Sequence, residues 1–376
     1  MEQKSFLVSA RKYRPQRWET VIGQESVTST LKKAVATGEI GQAYLFCGPR
    51  GVGKTSCARI FARAINEENS EVENTASLDV IHGAEANDWS FNIFELDAAS
   101  NNKVDDIRSL TDKVRIPPQV GKYKVYIIDE VHMLSKAAFN AFLKTLEEPP
   151  AHAIFILATT EKHVVIPTIL SRCQIFDFKR ISIPEMVSQL QLIVTDKNLK
   201  AEEEALHLIA QKADGAMRDA LSIFDQVVAF TDGNLTYKAV AQNLNVLGHE
   251  LYFKLVDLIL AEDIPECLLE LNEVVRKGFD LHHFVTGLGG HFRNLMLAKH
   301  PETISILEVS DGVSNQYKTQ SEACDSALVK NALHEINEVD SQFKGSRNQR
   351  LLVELALMKL CSLTGRIREK KKAALA

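Results

Sequence analysis

The chain has 376 residues, of which 45% are hydrophobic and 25% charged, and its formal net charge is −5. That length exceeds one ordinary hydrophobic core, so two or three domains of a soluble globular protein are expected. The mild negative charge excludes a protein that coats nucleic acid through bulk positive charge, but leaves room for a local basic lining.

The chain opens with MEQKSFLVSARKYRP, which has no apolar stretch and no cleavage site of the kind a signal peptide carries. The longest apolar runs, near 125–128 and 153–158, are strand-length, so no membrane span is expected and the expected location is the cytoplasm. AYLFCG (43–48) reads as a strand that leads into a helix through 54–66. SFNIFELDA (90–98) alternates like a strand, while KVYIIDE (124–130) and AIFILATT (153–160) are continuous apolar strands. Strands separated by helices over residues 1–180 imply an α/β domain, a parallel sheet with helices on both faces. ILSRCQIF (169–176) reads as a buried strand and its approach, with Arg172 in its middle, where a lone charge is costly unless paired. On its own, Arg172 reads as half of a surface salt bridge.

From about 181 the strand signal fades. PEMVSQLQLIVTDKNL and AEEEALHLIAQKA are amphipathic, and a small helical domain over 181–243 follows. Residues 244–366 are again helical, with apolar residues at threes and fours in ELYFKLVDLILA and RLLVELALMKLCSL; SDGVSNQYKTQSE (310–322) reads as a polar connection, and 367–376 as a flexible tail. The six cysteines, Cys47, Cys57, Cys173, Cys267, Cys324 and Cys361, show no paired spacing and read as reduced thiols.

Three motifs carry chemistry. GPRGVGKT, Gly48 to Thr55, fits the phosphate-loop pattern and lies between a strand and a helix. Gly48, Pro49, Arg50, Gly51, Val52 and Gly53 let the backbone curl so that N–H groups meet phosphate oxygens; Lys54 can reach the β- and γ-phosphates, Thr55 can ligate Mg²⁺, and Ser56 opens the helix behind them. VYIIDEVH (125–132) is a strand that ends in two acids about seventy residues later. Asp129 there suits the Mg²⁺ shell and Glu130 a general base for the attacking water. ILATTE (156–161) ends a neighbouring strand with hydroxyls, and Thr160 can orient water between Glu130 and the γ-phosphate.

The order ARKYRPQRWETVIGQE, GPRGVGKT, ELDAASNNKVDDIR, KVYIIDEVHMLS, FNAFLKTLEEPP, FILATTE, PTILSRCQIF and GAMRDALS resembles the gamma/tau subunits of the bacterial DNA polymerase III clamp loader, which are AAA+ ATPases. LKTLEEPP and the SRC triplet are far more specific than the phosphate loop. The resemblance runs from about residue 6 to 245 and continues weakly through the helical C-terminus. It implies an AAA+ module over 1–180, a helical lid over 181–243 and a helical collar for oligomerisation over 244–366.

By the same resemblance, Arg11, Tyr13, Arg14 and Pro15 with Val21 and Ile22 pack on the adenine. Thr160 corresponds to sensor 1, Arg218 in the lid to sensor 2, and Arg172 to an arginine finger directed at the γ-phosphate held by a neighbouring subunit. A planar, always-ionised group suits the spread charge of a phosphoryl transition state. Lys103 matches a DNA-backbone contact, with Asn101 standing where the family has an arginine.

The family's four-cysteine zinc module is replaced: its positions hold Glu67, Ala76, Asp79 and His82, so zinc is expected to be absent. The implied cofactors are ATP and Mg²⁺. The implied function is an ATP hydrolase that opens the sliding clamp and loads it on primer-template DNA at replication forks on the nucleoid. The implied setting is a hetero-oligomer holding several copies of this chain, delta- and delta-prime-type subunits and the polymerase holoenzyme. Polymerase chemistry is not expected in the chain itself. The alternatives are another AAA+ motor of the branch-migration type, which the SRC triplet disfavours, and a non-hydrolysing scaffold subunit, which Lys54, Thr55 and Glu130 disfavour.

Overall fold

The computed structural model describes residues 8–67, 92–119, 121–244, 246–307, 309 and 311–375. By internal packing the chain divides into two compact units, Met1–Gln189 with Lys212–Asp225, and Leu190–Gln211 with Gln226–Ala376. No helix among the described residues is long and apolar enough to cross a membrane.

In the first unit the order is α1 (Glu25–Thr37), β1 (Ala43–Cys47), α2 (Lys54–Glu67), β2 (Ile93–Asp97), α3 (Val104–Val114), β3 (Lys124–Asp129), α4 (Lys136–Glu147), β4 (Ala153–Thr159) and β5 (Gln174–Asp177). The five strands pair in parallel in the order β2-β3-β4-β1-β5. Every position of AYLFC in β1 and AIFILAT in β4 is buried, as a strand covered on both faces requires. Because successive side chains point to opposite faces, each strand feeds two cores. Leu45, Ile128 and Leu157 meet Ile107 of α3 and Phe142 of α4 on one face. Tyr44, Ile127 and Ile156 meet Leu31 of α1 and Phe61 of α2 on the other. Cys47 stands in register with Thr159, and Asp129 ends β3, so the strand ends that carry the motifs share one edge of the sheet. That edge is where open parallel sheets hold ligands.

The reading of ILSRCQIF as a buried strand needs correction. β5 pairs with β1 alone, at the edge of the sheet, and Ile175 is exposed. A one-turn helix, Pro167–Leu170, precedes it, and Arg172 lies between the two. Apolar content does not separate an edge strand from a central one, because only neighbours in the sheet decide that.

The helices α5 (Ile183–Asp196), α6 (Glu203–Lys212) and α7 (Met217–Phe230) follow, with α5 and α7 divided between the units. The second unit continues with α8 (Tyr237–Asn243), α9 (His249–Ala261), α10 (Ile264–Arg276), α11 (Leu281–Ala298), α12 (Asp311–Ala323), α13 (Ser326–Phe343) and α14 (Gln349–Leu375). One core joins Leu255, Phe284, Phe292, Val329 and Leu357. The last helix runs through the stretch expected as a tail; Glu, Lys and Ala are strong helix formers.

The expected polar connection at 310–322 is instead α12, which buries Tyr317, Gln320 and Ser321 and leaves Asn315, Gln316, Lys318 and Thr319 exposed. Gln320 Nε2 donates to the Phe253 carbonyl (2.8 Å) and to Asp257 Oδ1 (2.7 Å), which leaves Gln320 Oε1 to accept from His291 Nε2 at 2.9 Å. His291 Nδ1 therefore accepts the hydroxyl proton of buried Tyr317 at 3.0 Å, and one imidazole tautomer satisfies the whole chain of bonds. Burial pushes the His291 pKa down from 6.5 to about 4. Between those values the unfolded chain binds a proton that the folded chain refuses, so stability falls as pH drops from about 6.5 toward 4. The loss reaches at most about 3 kcal/mol. Urea-unfolding midpoints of this unit between pH 7 and pH 4.5 should decline accordingly; a flat profile would show that His291 accepts a proton without cost.

Candidate functional site

The loop of residues 48–53 leaves β1 and enters α2 at the strand-end edge of the sheet. Gly48 (φ +144°) lies against Phe178, so a Cβ there would run into the Phe178 carbonyl oxygen. Gly51 (φ +77°) lies under α7: its carbonyl accepts from Arg218 N (3.3 Å), and a Cβ would sit 3.1 Å from that of Ala216. Only glycine fits both the backbone angles and the space. Buried Gln24 braces the loop from outside, with Nε2 donating to the carbonyls of Lys179 (2.7 Å) and Val52 (3.5 Å) and Oε1 accepting from Lys179 N (3.2 Å).

A cleft of about 430 Å³ opens beside this loop. Of the residues singled out in the sequence, Arg50, Gly51, Val52, Gly53, Lys54, Thr55, Ser56, Asp129, Glu130 and Arg218 line it. So do Arg11, Tyr13, Arg14, Pro15, Val21 and Ile22. Gly48 and Pro49 lie behind the lining, their carbonyls each 2.7 Å from Lys54 Nζ. Five cations (Arg11, Arg14, Arg50, Lys54, Arg218) face two acids (Asp129, Glu130) in the cleft, although the whole chain is net negative. That local excess suits a polyphosphate.

Thr55 Oγ1 donates to Asp129 Oδ2 at 2.7 Å, so the two candidate Mg²⁺ ligands already adjoin. The pair fits a small hard cation that takes oxygen ligands. Asp129 Oδ1 accepts from Glu130 N at 3.0 Å. Glu130 holds a left-handed backbone (φ 50°), which is costly for a residue with a Cβ and which aims its carboxylate from the strand tip. Glu130 Oε2 accepts from Thr160 Oγ1 at 3.3 Å and lies 3.5 Å from His132 Nδ1. Thr160 therefore touches Glu130 from behind rather than lining the cleft. Burial lowers the pKa of Lys54, against the pull of Glu130 and Asp129. Burial likewise lowers the pKa of Arg14, with Arg59 and Arg218 adding repulsion; Arg14 Nε donates to Ser56 Oγ at 3.3 Å.

Two singled-out residues lie elsewhere. Arg172 is outside the cleft: Nη2 donates to Glu147 Oε1 (2.7 Å), and Nη1 to the Thr168 carbonyl (2.7 Å) and Ser171 Oγ (3.2 Å). Lys103 is exposed at the start of α3, where its N–H donates to Asp106 Oδ2 at 3.1 Å. Glu67 ends α2, whereas Ala76, Asp79 and His82 of the altered zinc segment lie outside the described residues.

Sequence reading missed Val8, Ala10, Thr20, Ile181, Gln189, Met217 and Leu221 in the lining, and also Gln24 and His132. Only His132 carried a signal, as the polar residue two places after Glu130 in an otherwise apolar run.

Three family models match the chain: DNA polymerase III, delta subunit, over residues 23–182; DNA polymerase III clamp loader subunit, ATPase lid domain, over 185–233; and DNA polymerase III subunits gamma and tau domain III, over 235–374. DNA polymerase III subunit tau of Bacillus subtilis (strain 168) is 40% identical over 358 residues, which cover 95% of this chain and 63% of that protein. DNA polymerase III subunit tau of Escherichia coli (strain K12) is 41% identical over 277 residues, which cover 73% of this chain and 43% of that protein. DNA polymerase III subunit gamma of Buchnera aphidicola subsp. Baizongia pistaciae is 38% identical over 266 residues, 70% of this chain and 72% of that protein. The chain thus spans less than two-thirds of either tau relative.

Proposed function

The chain belongs to the gamma/tau family of DNA polymerase III clamp-loader subunits, and on that premise we propose that it is an ATP-hydrolysing subunit that opens the sliding clamp and loads it on primer-template DNA. The observation that carries the reading is the cluster at the sheet edge: Lys54 in its glycine loop, Thr55 bonded to Asp129, and Glu130 at the strand tip, in a cleft with a cationic excess.

In this reading the N–H groups of 48–56 cradle the phosphates and Lys54 meets the β- and γ-phosphoryl oxygens. Thr55 and Asp129 would hold Mg²⁺, which when bound would supply positive charge against the phosphoryl oxygens. Glu130 takes the proton of the attacking water, and Thr160, bonded to the same carboxylate, fixes the approach. Arg11, Tyr13, Arg14, Pro15, Val21 and Ile22 seat the base, and Arg218 reports the nucleotide to α7. Arg172 serves the site of a neighbouring subunit. Lys103 contacts the DNA backbone, and with delta- and delta-prime-type partners the chain works at replication forks in the cytoplasm.

Lys54→Ala should abolish ATP affinity in a fluorescent-nucleotide titration while leaving the circular dichroism spectrum unchanged. Wild-type complexes should show ATPase activity stimulated by DNA and clamp. Wild-type-like binding by the variant, or turnover indifferent to DNA and clamp, rejects the assignment. The chain also carries no structural zinc in this reading, since a thiolate-free set does not make the usual closed site. Elemental analysis of protein purified without added metal should return far less than one zinc per chain; stoichiometric zinc that is lost on substituting Glu67, Asp79 and His82 would reverse this.

A further inference from the structure

Cys267 on α10 and Cys361 on α14 are 94 positions apart, yet their sulfurs lie 3.8 Å from each other. Both residues are buried, in the same core as Leu271 and Leu357. A disulfide needs about 2.05 Å between sulfurs, so each must move by roughly 1 Å, within reach of side-chain rotation. Neither residue lines the cleft around Lys54.

We propose that Cys267 and Cys361 form a dithiol modification site, which a small peroxide oxidises to a disulfide that ties α10 to α14. The two thiols are not equivalent. The hydrogen bond between them lowers the pKa of Cys361 and raises that of Cys267, which burial and the acids Asp263 and Glu266 raise further. Either sulfur can donate in this contact; where Cys267 donates, Cys361 is the one held as thiolate and attacks first.

Its sulfur attacks one oxygen of hydrogen peroxide; an S–O bond forms, the O–O bond breaks, and hydroxide leaves to become water. Cys267, giving up its proton, then attacks the sulfenic sulfur of Cys361. The S–S bond forms, the S–O bond breaks, and a second water departs. Two thiols and one peroxide yield one disulfide and two waters, with each sulfur oxidised by one electron. Burial selects the oxidant, because peroxide is small whereas glutathione disulfide must bring a tripeptide to a covered sulfur. The closed loop restrains the unfolded chain, so the thermal midpoint of this unit should rise by roughly 5–10 °C.

The test treats the full chain with hydrogen peroxide in native buffer, alkylates the remaining thiols, and maps a non-reducing digest by mass spectrometry. The expected product is a pair of linked peptides carrying Cys267 and Cys361, two hydrogens lighter than their sum, reversed by dithiothreitol and scarcely formed with glutathione disulfide. Cys267→Ser should leave Cys361 as a sulfenic acid trapped by dimedone. Should that variant fail to fold, the wild-type digest still decides. Recovery of both cysteines fully alkylated while the half-buried Cys173 is oxidised overturns the proposal. So does linkage to any other cysteine, or equal reaction with glutathione disulfide.

Discussion

Arg172→Ala should leave the ATP affinity of the isolated chain near wild type and strip about 10³–10⁵ from the hydrolysis rate of assembled complexes, the range an arginine finger supplies. The first half follows from position: Arg172 does not line its own chain's cleft, and its guanidinium is held by Glu147 and the Thr168 carbonyl. That ion pair is partly exposed and worth little, on the order of 1 kcal/mol or less, so it would not keep the arginine from a triphosphate on a neighbouring subunit. A mixing experiment separates the two possible roles. Chains carrying Arg172→Ala are combined with chains carrying Lys54→Ala, each inactive alone. If the finger acts in trans, some interfaces unite an intact Lys54 pocket with an intact Arg172 and part of the activity returns. If Arg172 serves only its own chain, every site carries a defect and mixed complexes stay silent. Silence in complexes proven to be mixed would reduce Arg172 to a surface ion pair.

Glu130→Gln should retain ATP affinity and hydrolyse at least ~100-fold more slowly, because an amide of the same shape cannot accept the water's proton. The substitution leaves an oxygen to accept from Thr160 and leaves the left-handed backbone in place, so positioning survives while basicity is lost. Single-turnover hydrolysis at saturating ATP gives the comparison. An unchanged rate would exclude Glu130 as the base.

The parts of the fold that were legible in the sequence are those whose signal is local. β1 and β4 are unbroken apolar runs because both their faces are covered, and such runs need no partner to be recognised. The glycine loop was legible because backbone angles dictate residue type at fixed spacing. The edge position of β5 and the helix α12 were not legible. The first depends on which strands adjoin, and the second on polar side chains that find buried partners in α9 and α11 instead of water. The same holds for the cleft. Lys54, Thr55, Asp129 and Glu130 announce themselves by motif, whereas Arg11 to Pro15 entered through family resemblance alone. Gln24, which braces the loop by reaching Lys179 across 155 positions, has no sequence mark at all.

Lys54 holds two carbonyls of its own loop, at Gly48 and Pro49, with 2.7 Å bonds. An ammonium carries three donors, so these two bonds leave one N–H and fix the direction in which it points. A free lysine stem gives up as much as about 2 kcal/mol of rotamer freedom when it is immobilised; here the loop's own carbonyls restrain it before any ligand arrives. The charge at the mouth of the cleft is thus pre-aimed, and an oxyanion that meets it does not have to order the side chain that receives it.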